Sequence, residues 1–322
     1  MDDSSSKPRG GKPDASSPTR TLAKSCQERL RNRWQNPRTL LCVGLDPEYD
    51  RLPSAVRSAQ TGLLALDEER HGSHVEGALI AFNQAIVDAT ADLVCAFKPN
   101  AAFYEAYGVA GMRALTRTIA YIHARYPEIP VILDAKRGDI GSTSEAYARA
   151  AFDAMGADAL TVQPYLGREA VAPILDRANN MSFILCRTSN PGSGEFQELS
   201  VRPNTEGAVE QPFYLHVAEQ VVNEWNTHGN CGLVVGATYP DDLRQVRARV
   251  GDLPILVPGV GAQGGDLEDT LHAGLDAQGA GLVISVTRSV LYASNGLDFA
   301  SAARREALRL WRIIDDVRTG NA

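Results

Sequence analysis

From Thr39 onward, short continuous apolar runs alternate with longer stretches in which apolar positions recur every three or four residues. The runs are residues 40–45, 93–97, 131–133, 159–162, 183–186, 233–235, 255–257 and 282–284. Such runs mark strands covered on both faces, as in a parallel sheet flanked by helices. The amphipathic stretches 77–91, 112–125, 142–155, 212–225, 241–250, 266–273 and 299–317 read as helices. Eightfold β-then-α alternation predicts an α/β fold, a (β/α)8 TIM barrel with right-handed crossovers and its chemistry at the carboxyl ends of the strands. A doubly wound open sheet is the alternative. It would place G-x-G-x-x-G after the first strand, where this chain has Gly44-Leu45-Asp46-Pro47.

The polar residues fall where a barrel needs them. Asp46 follows the first run, Lys98 the second, Asp134 the third and Gln163 the fourth; Thr188-Ser189-Asn190 follow the fifth, Gln263 the seventh and Arg288 the eighth. Residues 49–74 and 190–211 are longer than usual barrel connections and suit either lids and specificity elements or plain insertions. Residues 1–20 are rich in Ser, Pro, Gly and charge, too poor in apolar groups to offset the entropy of ordering. They are expected to form a disordered tail ahead of a single barrel domain, 21–322.

The most informative segment is Asp134-Ala135-Lys136-Arg137-Gly138-Asp139, which leaves the third run. Asp134 and Lys136 are two residues apart, so on an extended chain they share a face. The turn at Gly138 carries Asp139 elsewhere. Clustered ionisable groups at a strand exit cost desolvation, which points to a functional site over a salt bridge that only closes the barrel. After the seventh run comes the glycine-rich segment 258–266, and after the eighth Thr287-Arg288-Ser289. Loops seven and eight form the common phosphate site of barrels. Glycines admit an anion close to the backbone, a helix amino terminus offers N–H groups, and Arg288 can bind phosphate oxygens in a fork.

Composition narrows the partners. The chain is 44% hydrophobic and 22% charged, as expected of a globular protein with a sizeable core. Its net charge of -7 argues against nucleic acid or an anionic membrane as the main partner. No apolar stretch approaches the ~20 residues of a membrane span, and the amino terminus has no hydrophobic leader core. The five cysteines are odd in number and lack C-x-x-C spacing, and the six histidines are scattered. Neither a disulfide framework nor a metal site is suggested, and a cytoplasmic location fits best.

Four motifs in order carry a resemblance: Gly44-Leu45-Asp46-Pro47, Lys98-Pro99-Asn100, D-x-K-x-x-D at Asp134, Lys136 and Asp139, and the segment 258–266 with Arg288-Ser289. Together they resemble orotidine 5′-phosphate decarboxylase over nearly the whole barrel. The long loops and Arg187-Thr188-Ser189-Asn190-Pro191-Gly192 resemble the longer bacterial branch of that family. The resemblance implies decarboxylation of orotidine 5′-phosphate to uridine 5′-phosphate without metal or organic cofactor, in a homodimer with shared active sites. It implies Lys136 as proton donor, Asp134 beside the scissile carboxylate, and Lys98 and Asp46 at the ribose. It further implies Asp139 and Thr143 from the neighbouring subunit, Ser189 at the pyrimidine, and Gln263 and Arg288 at the phosphate. The nearest alternative is a Mg²⁺-dependent sugar-phosphate decarboxylase or aldolase of the same superfamily, whose members place an acidic residue where this chain has Lys98. A catalytically silent phosphate-binding scaffold and a Schiff-base aldolase using Lys98 or Lys136 are further alternatives; trapping by borohydride would reveal the latter.

Overall fold

The computed structural model describes residues 24–58, 68–203, 207, 209–261 and 265–320; the expected tail 1–20 and Gln263 lie outside the described residues. Eight parallel strands form one sheet: β1 (Leu41–Gly44), β2 (Ala96–Lys98), β3 (Ile132–Arg137), β4 (Ala159–Val162), β5 (Met181–Arg187), β6 (Cys231–Val235), β7 (Ile255–Val257) and β8 (Leu282–Val286). Each apolar run of the sequence becomes one of them. Their order around the sheet is β2-β1-β8-β7-β6-β5-β4-β3, with registers such as Cys42 opposite both Ala96 and Ser285. Single parallel bridges, Phe97 to Val131 and Asn100 to Asp134, join β2 to β3 and close the barrel. Hydrogen bonds from Phe97 N–H to the Pro130 carbonyl (3.0 Å) and from Asp134 N–H to the Pro99 carbonyl (2.9 Å) run along this seam. The thinnest seam of the barrel is therefore where Lys98 and Asp134 emerge.

β1, β2, β4, β6, β7 and β8 are buried at every position, the result of helices outside and side chains packed within. β3 differs, turning from buried to accessible at Asp134. The predicted helices are present, among them Gly108–Arg125, Pro240–Val250 and Phe299–Thr319. Among the described residues, two helices of eight residues or more were not anticipated. Helix Arg168–Leu175 is short, begins at Gly167 (φ 87°) and contains Pro173, so its sequence lacks a sustained helical period. Helix Cys26–Gln35 is polar overall but opens with a capping box between Ser25 and Glu28, and it buries Leu30 and Trp34.

The long connections carry structure of their own. The first contains a single turn at Tyr49–Arg51 and a short helix at Ser54–Ser58 before helix Glu68–Thr90. The second contains Pro191–Ser193, helix Gly194–Gln197 and an antiparallel ladder between Ser200–Val201 and Gln211–Pro212. All five cysteines are buried and unpaired, and burial pushes each thiol up, that of Cys42 to about 12. They pack as small apolar groups.

Candidate active site

At the carboxyl ends of the strands lies a cavity of about 570 Å³, lined by Asp46, Lys98, Asn100, Asp134, Lys136, Thr161, Ser189 and Arg288 among others. The Asp134 carboxylate is its centre. One oxygen accepts from Lys98 Nζ at 3.1 Å and from Asn100 Nδ2 at 3.4 Å; the other accepts from Lys136 Nζ at 2.7 Å and from Thr161 Oγ1 at 2.9 Å. Burial alone would push this carboxyl up. The two ammonium groups outweigh burial and hold it well below the usual carboxylate range.

The two lysines differ in setting. The Lys98 side chain is 5% exposed and that of Lys136 is 49% exposed, so Lys98 is a fixed charge and Lys136 faces the cavity space. Burial would lower the Lys98 ammonium, but Asp134 and Asp46 overcome it and the group stays firmly charged. Asp46 is buried and accepts from Asn100 N–H at 3.0 Å. For Asp46 burial outweighs the attraction of Lys98, and its carboxyl is raised. Two carboxylates on one lysine are thus driven apart in acidity by their surroundings.

Extended alternation would put Asp134 and Lys136 on one face. The actual route is different. β3 shifts register against β4 between Leu133 and Arg137, and Lys136 has φ 48°, the left-handed region. Such a bulge re-aims a side chain, and the conformation persists only when the surroundings hold it. Thr161 supplies that hold: its Oγ1 accepts from Ala135 N–H (3.0 Å) and Lys136 N–H (2.9 Å) while donating to Asp134. Sequence reading missed Thr161, and it met Asn100 only within the motif Lys98-Pro99-Asn100, without a role. A lone threonine inside the apolar run Ala159–Val162 was the available signal.

Asp139 and Thr143 do not line this chain's cavity. The Asp139 carboxylate accepts from Ile140 N–H at 2.8 Å, and Thr143 is exposed at the start of helix Gly141–Ala148. Gln163 steadies the turn that carries them, donating from Nε2 to the Gly138 carbonyl at 3.3 Å. A Cβ at Gly138 would come within 2.7 Å of that amide nitrogen, so the close approach needs glycine.

Around the cavity's other side, Thr188, Ser189 and Asn190 leave β5, and a Cβ on Gly236 would fall 2.7 Å from that of Ser189. Gln197, unforeseen from sequence, also lines the cavity; its Oε1 accepts from Thr188 N–H at 2.9 Å. Arg187 is a buried strut bonded to Ser193 Oγ (2.7 Å), Asp242 (2.8 Å) and Glu198. Where β7 and β8 end, Gly259, Val260 and Arg288 line the cavity, with φ 93° at Gly259. The helix there, Leu267–Gly274, is already capped by the Asp266 carboxylate, which accepts from Asp269 N–H at 2.9 Å. The expected role of a helix amino terminus toward phosphate therefore meets a competing carboxylate.

Residues 39–303 match the sequence model of the orotidine 5′-phosphate decarboxylase / HUMPS family. The chain is 48% identical over 291 residues to the orotidine 5′-phosphate decarboxylase of Cellvibrio japonicus, covering 90% of this chain and 98% of that one. Among solved structures, Leishmania donovani OMP decarboxylase superposes with a TM-score of 0.71 at 36% identity, covering 90% of this chain and 99% of that one. Leishmania donovani UMP synthase gives a TM-score of 0.75 at 38% identity over 92% of this chain, which spans 57% of that longer protein. A closed barrel with lysines converging on one carboxylate at its seam agrees with relatives that are themselves decarboxylases, and the chain belongs to the orotidine 5′-phosphate decarboxylase / HUMPS family.

Proposed function

We propose that the protein decarboxylates orotidine 5′-phosphate to uridine 5′-phosphate in the cytoplasm, with no metal or organic cofactor. The observation that carries this reading is the Lys98–Asp134–Lys136 arrangement, with its half-exposed ammonium directed at the cavity. Breaking the bond from C6 to the carboxylate leaves the electron pair on the ring carbon as a localised carbanion and releases CO2. A cation must sit where that charge develops, and a proton must follow. Lys136 does both: its ammonium stabilises the pair and then transfers a proton to C6.

In an effective dielectric near 20, unit charges ~4 Å apart interact by about 4 kcal/mol, roughly three powers of ten in rate. The remaining acceleration comes from binding energy at the ribose and phosphate that closes and orients the site. Asp46 and Lys98 are assigned to the ribose, Ser189 to the pyrimidine, and Arg288 with Gln263 to the phosphate. Asp134 lies beside the scissile carboxylate and holds Lys136 in place.

Asp139 and Thr143 are assigned to the active site of a second copy. Their outward position supports this, as do the exposed side chains of Ile140 (60%), Tyr165 (79%) and Leu166 (42%) on the adjoining turns. The functional test is loss of orotidine 5′-phosphate absorbance with and without EDTA. Turnover insensitive to chelator is expected; turnover abolished by EDTA and restored by Mg²⁺ rejects the cofactor-free reading. Sharing is tested by refolding Lys136→Ala and Asp139→Ala chains together. Random pairing in an isologous dimer should restore about a quarter of the activity, and a silent mixture would place Asp139 in its own chain's site.

A further inference from the structure

Asp46 and Glu48 reach the cavity on the segment that leaves β1, and its main chain is held by tyrosine hydroxyls. The Tyr104 hydroxyl donates to the Leu45 carbonyl at 2.8 Å. The Tyr292 hydroxyl accepts from Glu48 N–H at 2.8 Å and donates to the Asp46 carbonyl at 3.3 Å. The Tyr107 hydroxyl accepts from Tyr49 N–H at 2.8 Å. Pro47 has no N–H to contribute, so this turn cannot satisfy its backbone through a local ladder.

Each ring is itself fixed. Tyr104 is fully buried and its oxygen accepts from Asn83 Nδ2 at 2.9 Å, whose other contact is Thr118 Oγ1 at 3.1 Å. The Tyr292 ring stacks at 20° on Phe82, and the Arg51 guanidinium lies 3.8 Å from its centroid while pairing with Glu48 at 2.8 Å. None of the three tyrosines lines the cavity. By contrast, among the described residues the Asp46 carboxylate itself accepts one hydrogen bond, from Asn100 N–H. Its placement therefore depends on its main chain.

We propose that Tyr292, with Tyr104 and Tyr107, forms a hydroxyl clamp that positions Asp46 for the substrate, making Tyr292 a positioning residue for the reaction. The proposal rests on the decarboxylase reading of the cavity. Tyr292 is the informative member because it grips the segment on both sides of Pro47, and because Tyr292→Phe keeps the ring between Phe82 and Arg51. Tyr104→Phe would strip a partner from buried Asn83 and endanger folding, so Tyr107→Phe serves as the second variant.

The test is a double-mutant cycle on the full-length chain, measuring kcat and KM for orotidine 5′-phosphate and thermal unfolding. Tyr292→Phe is expected to lower kcat/KM about tenfold in the unmodified chain and less than about twofold in an Asp46→Asn background, because the hydroxyl acts through that carboxylate. Tyr107→Phe should follow the same pattern with a loss of about threefold. Equal losses in both backgrounds, or a Tyr292→Phe chain within about twofold of wild type, would overturn the clamp. Absence of turnover in the unmodified chain would instead reject the decarboxylase reading and the clamp with it.

Discussion

Two buried carboxylates, Asp134 at the carboxyl rim of the barrel and Asp158 at the opposite rim, have nearly the same exposure, 12% and 11%. In both, burial pushes the carboxyl up and basic neighbours bring it below its ordinary value. The Asp158 carboxylate accepts from His123 Nε2 at 2.8 Å and from Val131 N–H at 2.8 Å, and pairs with Arg29 of helix Cys26–Gln35. Together these partners tie helix Cys26–Gln35 to the barrel at its amino-terminal rim, beside a cavity of about 560 Å³ that Arg29, His123 and Asp158 line. Asp134 instead gathers two ammonium groups, one of them half-exposed to the cavity at the carboxyl ends of the strands. A perturbed acidity therefore does not separate a site from a strut. The separating feature is a charged atom left facing space at the carboxyl ends of the strands.

The contrast is broken most sharply by catalysis. On the proposed mechanism, Lys136→Ala should reduce kcat by about a thousandfold or more, because the proposed cation and proton donor are both lost, while uridine 5′-phosphate still binds. Near-normal turnover in single-turnover assays would return Lys136 to the class of struts. Asp158→Asn should show the reverse pattern. It leaves Arg29 in a mostly buried place without its anion, at a cost of about 3 kcal/mol in denaturant unfolding, with kcat/KM changed by less than about threefold. A large kinetic defect at unchanged stability would erase the distinction between the rims.

A smaller effect concerns acid. The folded-state acidity of Asp158 is shifted down, so its stabilisation is fully present above the ordinary carboxylate range near ~4 and is lost as pH falls through the folded value. The stability gap between wild type and Asp158→Asn should accordingly narrow between about pH 5 and pH 2 in urea titrations. A gap that widens with acid would show that the carboxylate is not the stabilising form.

What could be read from the chain follows the range of the forces involved. Eight apolar runs and their intervening periods fixed the barrel, because strand and helix burial leave a local signature in residue spacing. Asp134, Lys136, Lys98, Asp46 and Arg288 were legible for a related reason: each stands within a few residues of the end of an apolar run, where a barrel opens its cavity. Helix Arg168–Leu175 was not legible, since Gly167 and Pro173 obscure a period already limited to eight residues. The residues that hold the site left little local mark beyond a lone threonine in an apolar run and the asparagine of Lys98-Pro99-Asn100. Thr161 holding the β3 bulge, Asn100 joining Asp46 to Asp134, Gln197 meeting Thr188 and Tyr292 gripping Asp46 and Glu48 are each defined by a partner elsewhere in the chain, 246 positions away for Tyr292 and Asp46. Sequence alone determined which charged groups gather at the carboxyl ends of the strands. Only the tertiary structure decided that Lys136 meets Asp134 through a left-handed turn instead of an extended strand, because hydrogen bonds from a neighbouring strand outweigh the local backbone preference.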